Sequence, residues 1–330
     1  MMRLLRSTIG CASALLAALL FGSAAPLGAQ AAPASPAPPA PQVPPGELVG
    51  LATHRLWLSC DGQGSPTIFV EVGGGSNGSD WWNAVAELRR DTRVCIYSRA
   101  GYPRSDAGPM PRDAGREADE AAALIQIARV ERPFLLVAHS LGAMNALVLA
   151  SRHPDWLAGM VLLDPPPLSW MAGRTFPSIR TSVVASVARM RGTAARLRAL
   201  SDSAALRGAV ATGLERAAAL EALASEMEAM FLETPQLVSA IRSLGDLPVT
   251  VVAGGRPNPQ AYGADAEAFT RAWGDEGRSL AALTTRGNFV LIAESGHNLP
   301  VEAADRVLAI VRDALRCARD PSACPAPNAR

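Results

Sequence analysis

The stretch Phe134-Leu-Leu-Val-Ala-His-Ser-Leu-Gly142 sets a serine between an apolar run and a helix-forming run. Ala138 and Gly142 stand two residues before and two after it. A nucleophile on a sharp strand-to-helix turn needs small residues there, because the strained backbone would otherwise drive side chains together. Such a turn lifts the Ser140 hydroxyl clear of a sheet. A helix opening at Leu141 aims its free N–H groups at an oxygen gaining negative charge. The alternative use of the same residue is a helix-capping serine. A serine hydroxyl attacks a carbonyl only when a base takes its proton, so a histidine must arrive from elsewhere in the chain. Four are available. His54 precedes the patterned region, His139 is expected to point away from its neighbour Ser140, and His153 ends a helical run in Arg-His-Pro-Asp. His297 remains, in Ser295-Gly-His297.

These residues need a scaffold that brings them together. Short apolar runs predict strands at 55–58, 67–72, 93–97, 134–138, 159–163, 248–253 and 288–293. Between them, helical spacing predicts helices near 80–89, 113–128, 141–152, 262–273 and 301–316. The alternation is that of an α/β protein: a mostly parallel sheet with helices on both faces. It breaks once, across 168–244, where Ala, Leu, Met and Arg recur at helical spacing without strand signal. Three or four helices are expected there as a cap inserted into a core made of 47–167 and 245–330. The cap's methionines (Met171, Met190, Met227, Met230) suggest an uncharged or lipophilic acyl group.

Five stretches resemble the α/β-hydrolase fold family, and more narrowly its exported esterase-like members. They are Cys60-Asp-Gly-Gln-Gly-Ser-Pro with Phe69-Val-Glu-Val-Gly-Gly-Gly75, Val94 through Asp106, the turn at Ser140, Val161-Leu-Leu-Asp-Pro165, and Ser295-Gly-His297. Two residues depart from the family pattern, Ser98 where Asp is usual and Pro103 where Gly is usual. The resemblance implies a nucleophile at Ser140 and a base at His297, on the loop between the last strand and the last helix. It places the third member, a carboxylate, after the strand at 248–253. Gly254-Gly-Arg-Pro-Asn-Pro-Gln260 holds no acid, and the first one downstream is Asp265. Asp164 is favoured instead, because it ends its strand at the carboxyl edge of the sheet, where open α/β folds place ligands. The two oxyanion donors are expected from the Leu141 amide and from the Gly73–Gly75 turn, at Gly74, where glycine permits close backbone approach. No Lys completes a phosphate-binding P-loop. The implied activity is hydrolysis of a carboxylic ester without cofactor. The alternatives are the same residues acting on an amide, lactone or peptide, and a catalytically silent exported binding protein of this fold.

Arg3 and Arg6, an apolar run over 12–21 and small residues at Leu27-Gly-Ala29 predict a secretory signal peptide over 1–30. Residues 31–46 are nearly all Ala, Pro and Ser, a linker that cannot build a core. Cys11 precedes the apolar run and is therefore not placed to carry a lipid. The run itself is too short for stable membrane insertion. A net charge of +1 without a block of one sign gives no basis for nucleic-acid binding. Every basic residue is Arg. After the signal peptide four cysteines remain. Cys317 and Cys324 could close a short loop, which leaves Cys60 with Cys95; four free thiols are the alternative. No Cys/His cluster has metal-ligand spacing.

Overall fold

A computed structural model of the chain describes residues 43–201 and 210–328. The expected signal peptide, most of the expected linker and 202–209 of the expected cap lie outside the described residues. Eight strands form one sheet in the order β1-β2-β4-β3-β5-β6-β7-β8. They are β1 (Glu47–Gly50), β2 (Arg55–Asp61), β3 (Ile68–Glu71), β4 (Val94–Tyr97), β5 (Phe134–His139), β6 (Leu157–Leu163), β7 (Val249–Gly254) and β8 (Gly287–Ile292). β2 runs antiparallel to β1 and β4, and every other pairing is parallel. The central strands are apolar along their whole length because both faces are covered; all six residues of β5 are buried.

Strand alternation divides the core into two layers. Ile68, Val70, Leu135, Val137, Val161 and Leu163 face α1 (Trp82–Leu88) and α8 (Ala304–Arg319). Phe69, Leu136, Ala138, Leu162 and Val251 face α2 (Ala114–Ile127), α3 (Leu141–Arg152) and α7 (Ala266–Ala281). Asp113 caps α2 by accepting from the Gly115 and Arg116 N–H groups. Between β6 and β7 lie a single turn at Leu168–Met171 and the helices α4 (Pro177–Ser201), α5 (Val210–Ala229) and α6 (Glu233–Ser239). α4 and α5 meet through Val187, Met190 and Ala224. No helix among the described residues is long and apolar enough to cross a membrane.

Three of the differences from the sequence expectation have a local structural reason. β1 was not expected, because only Val49 of its four residues is buried and so no alternation is visible. α7 was expected to stop at Trp273 but continues through Gly274 and Gly277. A Cβ at Gly277 would lie 2.6 Å from the Phe289 ring, so this glycine is a helix-to-sheet contact and not a stop. α8 starts three residues later than expected because Leu299–Glu302 forms a separate turn.

Cys60 and Cys95 occupy directly paired positions of β2 and β4 and are joined by a disulfide; Cys317 and Cys324 form a second. The first closes a loop of 35 residues, which in the chain-entropy treatment stabilises the fold by about 4 kcal/mol. A Cys60→Ala/Cys95→Ala variant is therefore expected to lose about that much unfolding free energy in urea. An unchanged midpoint would show that the sheet holds this edge without the crosslink.

Candidate active site

Ser140 begins where β5 ends, with φ of 54°. That left-handed backbone is costly for a residue with a side chain and persists only where the surroundings enforce it. Two contacts do so. The Ser140 N–H donates to the Leu163 carbonyl at 2.8 Å, and a Cβ at Gly142 would lie 2.4 Å from the Val72 carbonyl oxygen. Asp164, one residue beyond β6, has φ of 47° and donates its N–H to the Val252 carbonyl at 2.7 Å. Its side chain is buried. Oδ1 accepts from the Gly254 N–H at 2.9 Å, and Oδ2 stands 2.6 Å from His297 Nδ1. His297 Nε2 in turn stands 2.9 Å from Ser140 Oγ. The structure thus brings Ser140, His297 and Asp164 into one hydrogen-bonded line. Burial, followed by the charge of Asp164, pushes the nearby Tyr262 phenol up to about 12.

Asp265 lies elsewhere, accepting from Ser178 Oγ at 2.7 Å. The absence of an acid after β7 has a steric cause. A Cβ at Gly254 would lie 2.4 Å from the Gly296 carbonyl oxygen and one at Gly255 2.7 Å from Ala293 Cα. The segment carrying His297 packs directly on these glycines and leaves no room for a carboxylate there.

The His297 ring is held between two others, with centroids 5.0 Å from His139 and 4.8 Å from Trp273. His139 therefore does not lead away from the site, as its position beside Ser140 suggested. Its Nε2 lies 2.9 Å from the His297 carbonyl oxygen, so a proton on that nitrogen ties the end of β5 to the His297 loop. Burial, and then the proximity of His297, lower the His139 pKa to about 4, keeping the imidazole neutral. Glu302 brackets the loop from the other side, accepting from the Gly296 N–H at 2.9 Å and the Asn298 N–H at 3.2 Å. Arg256 pairs with Glu302 from the β7 side. His153 stacks on Trp156 and His54 is buried beside Glu120, so neither belongs to the site.

The Gly73–Gly75 turn lies against this line. A Cβ at Gly73 would come within 2.9 Å of His139 Nδ1 and 3.4 Å of Ser140 Cβ. One at Gly74 would come within 3.1 Å of Met227 Cε and 3.3 Å of Leu141 Cδ2. Gly74 and Leu141 are thus neighbours at the mouth of the turn. Of the four methionines singled out, Met171, Met190 and Met230 are core, while Met227 touches the glycine turn. Trp81 packs in the core, and Trp82 is half-buried under the Arg104 guanidinium. The loop with the two departures is closed on itself: Ser98 Oγ donates to the Pro103 carbonyl at 2.8 Å.

Sequence reading missed a buried group of charges beneath the turn: Arg99, Arg112, Glu71, Glu117, Glu120 and Glu226. Burial disfavours the Arg99 charge, but Glu226, Glu117 and Glu71 outweigh it and hold its pKa well above the ordinary value. Burial and the charge of Glu226 push the Glu117 carboxyl well above the usual carboxylate range. One signal could have found Glu226. It is a lone acid on a helix face otherwise carrying Ala222, Ala229 and Met230, all buried. Among the described residues no group of three His, Cys, Asp or Glu is placed to hold a metal ion.

The sequence profile of the alpha/beta hydrolase fold family matches residues 66–304. A thermophilic esterase from Thermogutta terrifontis superposes with TM-score 0.61 at 21% identity, over 83% of this chain and 99% of that one. A putative epoxide hydrolase from Pseudomonas aeruginosa, solved as a mutant, gives TM-score 0.63 at 19% identity, over 84% and 97%. At these identities the likeness concerns the fold. The putative carbamate hydrolase RutD of Klebsiella pneumoniae is 32% identical over 103 residues, 31% of this chain and 38% of RutD. The chain spans less than half the length of the curated relatives it matches, 18% and 41% in the first two.

His139 predicts a pH effect on stability. Its pKa is depressed to about 4 in the fold, against about 6.5 in the unfolded chain. Between these values the unfolded chain binds the extra proton, so stability falls as pH drops through that window. From pH 7 to pH 5 the loss due to this residue is about 2 kcal/mol. Urea unfolding of wild type and His139→Gln at both pH values is expected to show a smaller drop in the variant. Parallel losses would mean that His139 is not held neutral.

Proposed function

The chain belongs to the alpha/beta hydrolase fold family, and we propose that it is a serine hydrolase of that family, cleaving a carboxylic ester of an uncharged or lipophilic small molecule. The observation that carries this reading is the line of contacts from Ser140 Oγ through His297 to Asp164, at 2.9 Å and 2.6 Å. A carboxylate beside Nδ1 keeps a proton on that nitrogen, which leaves Nε2 free to accept the Ser140 hydroxyl proton. Ser140 Oγ then attacks the carbonyl carbon and His297 takes the proton. The tetrahedral oxygen gains negative charge beside the Gly74 and Leu141 amides, which serve as its donors. When the intermediate collapses, His297 returns the proton to the leaving alcohol and the acyl group stays on Ser140. Water, deprotonated by the same imidazole, releases the acid. No cofactor enters any step.

Chemistry favours acyl transfer over epoxide opening, despite the likeness in fold to a putative epoxide hydrolase. An epoxide opened by a serine would leave an ether on the enzyme, which an imidazole-activated water does not cleave. A carbamate is the second reading, supported by the local similarity to RutD; it would pass through a carbamoyl group on the same oxygen. Leu223 and Met227 beside the glycine turn and Trp273 beside His297 give the apolar surroundings that suit an uncharged acyl group. We place the protein outside the cytoplasm, a reading supported by the leader pattern and by two disulfides, which persist in oxidising compartments.

Purified protein is expected to react covalently with a fluorophosphonate, and Ser140→Ala and His297→Ala are expected to abolish both labelling and turnover of p-nitrophenyl butyrate. A folded wild type that stays unlabelled would sink the serine hydrolase reading. Asp164→Asn should lower kcat roughly 10³- to 10⁴-fold, the order found when a triad acid is neutralised, while Asp265→Asn should change it less than about twofold. Near wild-type turnover by Asp164→Asn would refute the assignment of the acid.

A further inference from the structure

Two short paths lead from a single carboxylate on α5 to the two residues that flank Gly74. Glu226 accepts from Arg99 Nε at 3.0 Å and from Nη2 at 3.2 Å. The same guanidinium donates to the carbonyls of Val72 at 2.6 Å and Gly73 at 2.9 Å. On the other flank, the Gly75 N–H donates to the Tyr102 hydroxyl at 3.0 Å, and that hydroxyl donates to Glu226 at 2.7 Å. With one further contact, Nη1 to Glu71 at 3.2 Å, five N–H donors of Arg99 meet five acceptors. Arg99 and Glu226 are almost wholly buried.

We propose that Glu226 is a positioning residue that reaches across from the helices between β6 and β7 and, through Arg99 and Tyr102, holds the Gly73–Gly75 turn in the shape that presents the Gly74 amide to the reacting oxygen. This rests on the serine hydrolase reading above. Without Glu226 the guanidinium loses two of its five acceptors, and a buried charge in that state is drawn toward another partner, Glu117 Oε2 standing 3.3 Å from Nε, or toward water. Two of its other donors are fixed to the consecutive carbonyls of Val72 and Gly73, where the chain enters the turn, so the turn moves with it. α5 also packs directly on the loop that carries Arg99 and Tyr102: a Cβ at Gly101 would lie 2.7 Å from Ala222 Cβ. The Arg112 N–H donates to Ser225 Oγ at 2.9 Å, a second tie from the same helix. The oxyanion donors are therefore complete only while α5 is seated.

The experiment compares wild type, Glu226→Gln and Tyr102→Phe. Gln keeps the size of Glu but sets an amide N–H₂ against Arg99; Phe removes only the bridge to Gly75. Three readouts are taken: kcat and KM on p-nitrophenyl butyrate, affinity for a trifluoromethyl ketone whose adduct with Ser140 bears an oxyanion, and affinity for the matching alcohol, which forms no adduct. Glu226→Gln is expected to lower kcat roughly 100-fold, the order of losing one oxyanion donor, with KM within about threefold. Trifluoromethyl ketone affinity should fall by the same factor and alcohol affinity should hold. Tyr102→Phe should shift the same readouts in the same direction by a smaller factor, and it decides the matter if Glu226→Gln does not fold. Unchanged kcat and ketone affinity in the folded variants overturn the proposal, as does a loss confined to KM or to thermal stability. A wild type that neither turns over ester nor labels with fluorophosphonate fails the underlying serine hydrolase reading instead, so the two failures are distinct.

Discussion

The register between β5, β6 and β7 is the constraint on which the site depends. His139 pairs with Leu163 and Leu163 pairs with Val252, so Ser140 and Asp164 leave their strands side by side, with Ala253 level with them on β7 and Gly254 one residue beyond. Side chains alternate between the faces of a sheet, and a slip of one residue would send one of the two to the opposite layer. In this register Val137, Val161 and Val252 lie in one layer and Leu136, Leu162 and Val251 in the other, and a slip of one residue would exchange layers along the slipped strand. The core packing thereby also determines where a hydroxyl and a carboxylate emerge.

The region beyond the strand ends is built by backbone packing against backbone. Glycine recurs at Gly73, Gly142, Gly254 and Gly255 because each added Cβ would meet an atom within 3.0 Å. This crowding forces Ser140 and Asp164 into left-handed conformations and holds them there. It also accounts for the displaced acid. With the His297 loop lying on Gly254 and Gly255, the end of β7 contributes an N–H to Asp164 instead of a carboxylate to His297. Arg256, the first residue with a side chain after those glycines, serves the same loop through Glu302.

Beneath the glycine turn the molecule buries two guanidinium groups among four carboxyl groups. Such an arrangement is expensive in desolvation, and an apolar core of equal volume would often be as stable. Burial raises the Glu71 carboxyl, and burial together with the charge of Glu226 holds Glu117 well above the usual carboxylate range. The geometry suits the network to position rather than to stability, since Arg99 addresses the consecutive carbonyls of Val72 and Gly73 with the fork of its guanidinium.

Local pattern was enough to read the strand, turn and helix around Ser140, because a fully buried parallel strand and a small-residue turn leave their mark within nine residues. The alternation of apolar runs and helical spacing made the α/β class legible in the same way, and four cysteines paired as their spacing suggested. Boundaries at β1 and α7 were misread where a single buried residue or a glycine contact with Phe289 replaced a periodic signal. The placement of Asp164 rather than Asp265 beside His297 was open in the sequence, since it depends on strand register and on the space above Gly254. The reach of Glu226 to Arg99 was invisible, because it joins positions 127 residues apart on two separate elements. Chemistry written into one turn of chain can be read from that turn, whereas a choice between distant groups is made only when packing brings their backbones to one place.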